Sequence, residues 1–404
     1  MASSLKASPQ GLKIVDQARV RRGWDRQSAA WADAAKASIA TLKRFWQKKY
    51  IQAQFFIDIC ESVGLDWEEV VDSPVSADWG EAPESGDFYG RTEELATLQQ
   101  WIVQDRCRVV ALRGMGGIGK TALAVKLAEQ IQDNFEYFIW RSLRHAPPLG
   151  DILANLISLF SNQQQSNANL SQLIDFLRQH RCLVVLDEVD AILGSDHPAG
   201  HYRSGEGYGE LLRRVGEQRE LQSCLVLTSQ EKPQEIVSLE GNRRPVRSLL
   251  LAGLGEAANE ILKENNLTYE PEEWQELIQM YRGNPLALKI VSTTIQDLFG
   301  GSVAKFLRHN TIVLCDEFQE ILDQQFQRLS ELQKNIMYAL AIHQQPISLE
   351  QLRENISSTV SKSETIEALD SLVRRSLIET STGVSAELFT LQPVVMKYVK
   401  RFMK

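Results

Sequence analysis

Between residues 108 and 251 the chain alternates between two hydrophobic rhythms. Short apolar, β-branched runs occur at Val109–Leu112, Tyr137–Ser142, Leu183–Asp187, Leu225–Ser229 and Val246–Leu251. Stretches of helical period, such as Asp151–Phe160 and Leu170–His180, separate them. Apolar runs without alternation read as strands buried on both faces, and strands separated by helices predict a parallel sheet covered on both sides. Ahead of this region, Gly11–Gly23, Gln27–Lys36, Ile39–Lys48 and Ala53–Val63 repeat apolar residues at helical spacing. Trp24, Trp31, Trp46 and Trp67 are placed to fill a small core there. In the third of these helices, capped by Ser38, the residues Ile39, Leu42 and Trp46 share the inner face. Thr41, Lys43, Arg44, Gln47 and Lys48 then point outward, the layout of a helix-turn-helix whose second helix can enter a DNA major groove. Near the C-terminus, helices are expected at Glu317–Leu329, Glu331–His343, Leu349–Asn355 and Ser363–Arg374.

Composition divides the chain further. At 404 residues it is too long for a single core. Residues 1–60 hold Lys6, Lys13, Arg19, Arg21, Arg22, Arg26, Lys36, Lys43, Arg44, Lys48 and Lys49 against four aspartates. Glu61 to Gly90 is acidic and has no Lys or Arg, so a basic module is followed by an acidic stretch within a net charge of −8. Residues 73–87, rich in Pro, Gly, Ser and acid, read as a linker. Cys60, Cys107, Cys182, Cys224 and Cys315 are scattered without metal-ligand spacing and read as buried thiols of a reducing compartment. No apolar run reaches the ~20 residues of a membrane span, and no secretion signal opens the chain. The expected location is cytoplasmic, with no membrane partner. His197–Gly209, with Tyr202 and Arg203, reads as a surface loop.

One stretch carries chemistry. After the run Val109–Leu112 come Gly114, Gly116, Gly117 and Gly119, then Lys120 and Thr121 opening an alanine-rich helix. The spacing Gly114-x4-Gly119-Lys120-Thr121 is the Walker A pattern. Glycines let backbone N–H groups close around phosphate oxygens, and the helix N-terminus adds positive potential. Lys120 suits the β- and γ-phosphates, and the Thr121 hydroxyl suits Mg²⁺. The run Leu183–Asp187 followed by Glu188 has the form of a Walker B strand. Asp187 would hold Mg²⁺ through water and Glu188 would polarise an attacking water. Asn284 and Pro285 have the residue types of a helix N-cap and first helical position.

The ordered motifs Phe88-Tyr-Gly-Arg-Thr-Glu-Glu-Leu95, Gly114-Met-Gly-Gly-Ile-Gly-Lys-Thr121, Leu186-Asp-Glu188, Leu227-Thr-Ser-Gln-Glu231 and Gly283-Asn-Pro-Leu-Ala-Leu288 resemble the NB-ARC type of STAND signalling ATPases. Plant disease-resistance proteins and apoptosome scaffolds share that module. The resemblance implies a multidomain α/β architecture: a P-loop NTPase sheet at 88–251, a helical subdomain at 252–308 and a winged-helix subdomain at 309–404. A small all-α, helix-turn-helix-like domain at 1–72 precedes them. It also implies an ATP/ADP and Mg²⁺ site made by Tyr89, Arg91, Gly114, Met115, Gly116, Gly117, Ile118, Gly119, Lys120, Thr121, Ala122, Gln230 and Pro285, with Asp187 and Thr121 on the metal. Two positions depart from the pattern. Gln230 stands where relatives often carry an arginine that senses the γ-phosphate. Leu391-Gln392-Pro393 stands where the family has Met-His-Asp.

The resemblance implies a switch that is compact with ADP and forms a homo-oligomer with ATP, at most a slow ATPase. Its expected partner is a signalling protein bound through residues 1–72. A transcription regulator binding DNA through Ile39–Lys48 is the alternative, and a motor ATPase is a third reading. The chain shows no repeats at solenoid or propeller period, so the trigger is expected from a partner or from the nucleotide alone.

Overall fold

The structure is a computed structural model, and it describes residues 4–71, 76–161, 168–194, 199–202, 207–241, 243–268, 270–314, 316–356, 360–382 and 387–403. Cys315, Arg203 and parts of the linker and of the 197–209 loop lie outside these residues. Two compact units divide between Ser76 and Ala77.

The first unit is helical. Strands β1 (Ser4–Leu5) and β2 (Ile51–Gln52) form a short antiparallel ladder beside helices α1 (Pro9–Arg21), α2 (Ala29–Ala34), α3 (Ile39–Trp46), α4 (Ala53–Ser62) and α5 (Trp67–Val70). Serines start three of the helices: Ser8, Ser28 and Ser38 accept from the N–H groups of Gly11, Trp31 and Thr41 at 2.8, 3.2 and 3.1 Å. Each such cap is worth about 1 kcal/mol. Trp31 is fully buried and its indole donates to Ser62 Oγ at 2.8 Å. Ile39 departs from expectation, being 46% exposed. Leu42 and Phe45, three apart, form the inner face instead, and the Phe45 ring lies 5.3 Å from that of Phe56. Lys43, Arg44, Gln47 and Lys48 are exposed.

In the second unit, strands β3 (Ser76–Asp78), β4 (Val109–Arg113), β5 (Tyr137–Ser142), β6 (Cys182–Asp187), β7 (Cys224–Ser229) and β8 (Val246–Leu250) form one sheet in the order β3-β5-β6-β7-β4-β8. The β5–β6, β6–β7, β7–β4 and β4–β8 pairs are parallel. Burial on both faces explains the uninterrupted apolar runs. Composition assigns residues 76–78 to a linker, yet they form the edge strand. Asp78 binds Arg141 at 2.5 Å and Trp79 packs on Phe138, ring centroids 4.4 Å apart. Helices α6 (Thr92–Gln99), α7 (Lys120–Ile131), α8 (Leu149–Ser161), α9 (Leu170–Gln179), α10 (Tyr208–Glu217) and α11 (Gln234–Leu239) flank the sheet. A π-helical turn at Gln100–Gln104 extends α6. Thr92 is the first helical residue of α6, and Arg91 holds the N-cap place at φ 62°.

Helices α12 (Ala258–Glu264), α13 (Pro271–Met280), α14 (Pro285–Phe299) and α15 (Val303–Leu307) follow. Then come α16 (Asp316–Gln327), α17 (Glu331–His343), β9 (Ile347–Ser348), α18 (Leu349–Glu354), α19 (Lys362–Arg374), the hairpin β10 (Ile378–Thr382) and β11 (Glu387–Leu391), and α20 (Pro393–Val399). β10, β11 and β9 form a small antiparallel sheet. The helices from α12 to α20 share one apolar core around Trp274, Leu288, Phe318 and Leu340, and Met115 of the glycine loop belongs to it. Among the described residues, no helix is long and apolar enough to cross a membrane. Cys60, Cys107, Cys182 and Cys224 are free and buried, and burial pushes the Cys60 and Cys182 thiols up to about 12.

Candidate functional site

The glycine loop connects β4 to α7, and other parts of the unit press against it. Gly117 has φ 74°, and a side chain there would meet Leu286 Cβ at 2.7 Å and Asn284 Oδ1 at 3.1 Å. At Gly116 an added Cβ would meet Ile321 Cγ2 of α16 at 2.3 Å. Only glycine admits this approach from both sides. Asn284 caps α14 by accepting from Ala287 N–H at 3.2 Å, and its amide donates to Gly116 O at 3.0 Å. Leu286 N–H donates to Gly117 O at 3.3 Å. One N-cap residue thus fixes both a helix start and the loop.

Lys120 is 9% exposed, and its ammonium donates to Gly114 O and Met115 O at 2.9 and 3.0 Å. Burial pushes its pKa down, opposed by Asp190, Asp187 and Glu188. The Thr121 hydroxyl donates to Asp187 Oδ1 at 2.9 Å, and Thr228 donates to the same oxygen. Burial raises the Asp187 carboxyl above the usual range, against those two hydroxyls. Walker A and Walker B thus meet at the carboxyl ends of the parallel strands β4 and β6, which flank β7, where such sheets bind ligands.

Glu188 lies in the left-handed region at φ 59° and turns toward β5. Its carboxylate pairs with Arg144 at 3.0 Å and accepts from Ser142 Oγ at 3.2 Å. The Arg144 side chain is 70% exposed, so this pair is worth at most about 1 kcal/mol and opens easily. Gln230 sits at the loop, its Oε1 placed 3.2 Å from where a Gly116 Cβ would be. Its N–H donates to Asp190 Oδ1 at 2.9 Å, its amide nitrogen to Asp190 Oδ2 at 3.4 Å, and its amide oxygen accepts from Gln325 of α16.

A cavity of about 420 Å³ adjoins the loop, within the range of small-molecule sites. Tyr89, Arg91, Gly117, Ile118, Gly119, Ala122 and Pro285 line it, joined by Phe88, Leu254, Ile261 and Lys289. Tyr89 OH donates to Glu264. Arg91, expected at the nucleotide, spends its guanidinium on Glu94 at 2.8 Å, Ile118 O at 3.2 Å and Ala252 O at 2.6 Å. Met115 likewise turns its side chain into the C-terminal core, and neither it nor Gln230 lines the cavity. Gln392 begins α20 without a side-chain cap, and residues 391–393 do not line the cavity either. Asp190 as the partner of Gln230, and Asn284 as a contact of Gly116, were not expected from the sequence. An acid in a turn and an N-cap asparagine carry no further local signal.

The glycine cradle, the buried ammonium and the Thr121–Asp187 pair fit a phosphate-bearing nucleotide. Residues 91–192 match the family model of the NB-ARC domain. Residues 91–192 carry an NB-ARC domain. Over 99% of its length the chain is 42% identical to an uncharacterized WD repeat-containing protein of Nostoc sp., of which it covers 36%. It is 27% identical to the disease resistance protein RRS1 of Arabidopsis thaliana over 58% of this chain and 18% of that protein. The chain therefore spans about a third or less of the curated relatives it matches. The Walker-type ATPase paby2304 of Pyrococcus abyssi shares the fold, with a TM-score of 0.56 at 16% identity over 80% of this chain and 99% of that one. The NB-ARC match supports nucleotide binding.

Proposed function

We propose that this NB-ARC chain is a signalling switch operated by exchange of ADP for ATP with Mg²⁺. The observation that carries the reading is the cover over the nucleotide loop. Asn284 and Leu286 of α14 and Ile321 of α16 press on the two central glycines, so what binds there meets the rest of the unit. Mg²⁺, when bound, would supply positive charge that neutralises phosphate, with Thr121 and Asp187 as the residues to hold it. Lys120 would exchange its carbonyl partners for phosphate oxygens, Thr121 and Asp187 would orient the ion, and Pro285 and Ile118 would flank the base and sugar. Gln230 would report the γ-phosphate by an uncharged hydrogen bond. In the ATP state the chain forms a homo-oligomer and recruits a signalling protein through residues 1–72. The similarity to a WD repeat-containing protein fits a switch module that works beside repeats in that relative.

Turnover is expected to be slow. Gln230 brings no charge to the γ-phosphate, so hydrolysis should run far below the ~10 s⁻¹ of a typical enzyme. Single-turnover measurement with labelled ATP checks this, and steady cycling at enzyme-like rates would revive the motor reading.

The exposed basic face of α3 supports the second reading, a nucleotide-controlled DNA binder. If Lys43 and Arg44 contact phosphates, replacing both lowers the salt slope of DNA binding by about two units. We expect instead that the full chain selects no site from a random duplex pool. Enrichment of one sequence would establish the DNA reading.

A further inference from the structure

At the end of the sheet opposite the glycine loop, a concavity of about 580 Å³ opens where β4 and β8 begin. Arg106, Arg108, Arg219, Arg243, Arg244 and Arg247 line it, with Asp105 and Glu220 as the acids. Asp105 is already engaged, accepting from Arg247 at 2.6 Å and from Gln100 at 2.9 Å. Arg108 donates to Gly216 O at 3.0 Å and Arg219 O at 3.3 Å, and Arg244 donates to Ser238 O at 3.2 Å. These neutral carbonyls hold the guanidiniums in place without cancelling their charge. The side chains of Arg106, Arg219 and Arg243 are exposed and form no hydrogen bond or ion pair among the described residues.

We infer that this concavity binds a compact polyphosphate. A cluster of like charges gathered in one recess is relieved by an anion of matching density. The recess is lined by arginine and by no lysine, and the guanidinium fork matches phosphate oxygens two at a time. A small ligand suits it better than a nucleic acid strand. An extended polyanion also feels the net charge of −8, whereas a compact one, screened beyond ~10 Å, feels mainly the arginines. The site is separate from the P-loop: the five residues of β4 lie between them, roughly 15 Å of strand. Both sites can therefore be filled together.

The test uses the full chain with ADP in excess, so that the P-loop is occupied. Isothermal titration with inorganic tripolyphosphate, and separately with inositol hexakisphosphate, reads the second site. The parent is expected to bind at least one of the two. Tripolyphosphate alone would identify a linear phosphate chain, hexakisphosphate alone a ring-borne cluster, and both a need only for phosphate density. The combined variant Arg106→Gln, Arg219→Gln, Arg243→Gln should bind about tenfold more weakly or worse, with ADP affinity and melting temperature unchanged. These side chains hold nothing else, so the variant should fold. Equal affinity in parent and variant, or no binding by either compound, overturns the inference. So does tighter binding of polyglutamate or of duplex DNA, which would move the site to an acidic peptide or a nucleic acid.

Discussion

Replacing Lys120 by alanine is expected to abolish the thermal stabilisation that ADP confers on this chain. The ammonium is buried beside the loop it serves, held by Gly114 O and Met115 O at 2.9 and 3.0 Å. Burial disfavours its charge, and a phosphate group beside it would favour that charge. Ligand at 100 times its dissociation constant adds about 2.7 kcal/mol of stability, which melting curves resolve. The variant should melt at the same temperature with and without ADP. Equal shifts in parent and variant would show that nucleotide binds elsewhere.

Glu231→Gln should destabilise the second unit by about 3–5 kcal/mol, a large part of the ~5–15 kcal/mol that holds a typical domain together. Glu231 is 2% exposed and lies 2.8 Å from Arg375 and 3.0 Å from Arg328, and it also accepts from Gly200 N–H at 3.3 Å. Burial pushes its carboxyl up against the pull of both arginines, and pushes Arg375 down. Desolvation thus outweighs pairing for both partners, so the triad as a whole adds little. Removing one member is different, because it strands two guanidiniums beside a neutral amide. Chemical denaturation of the single variant, and of Glu231→Gln with Arg375→Met, separates the cases. The double variant should recover part of the loss. A single variant within about 0.5 kcal/mol of the parent would show that the buried triad holds nothing. Glu231 follows Gln230, which touches Gly116, while Arg328 and Arg375 belong to the segments around α16 and α19.

What could be read from the sequence follows the range of the signal. The strand ending at Asp187, the glycine loop and the helix Glu331–His343 announce themselves through spacing within a few residues, and each is found at or within a residue of its expected place. β3 was hidden because Ser76–Asp78 has a linker's composition and owes its place to Arg141, far along the chain. Ile39, expected on the inner face of the short helix α3, is exposed, and Phe45 is buried beside Leu42 instead. Arg91 has the expected neighbourhood but not the expected bonds, since its guanidinium is spent on Ala252 O and Ile118 O. Glu231 was seen as part of a motif, not as the centre of an ion triad. Its partners lie about 100 and 140 positions away, and no local pattern encodes them.

For the proposed switch, bound nucleotide sets the assembly state of the chain. Two states with different ligand preference must exist, and moving a 1:99 population to 99:1 takes about 5.5 kcal/mol of differential binding. Light scattering coupled to size exclusion, run in ADP and in a non-hydrolysable ATP analogue, reads that difference directly. A monomer is expected with ADP and a measurable oligomer with the analogue, partial if the bias is smaller. A monomer of the same mass in both nucleotides would contradict it.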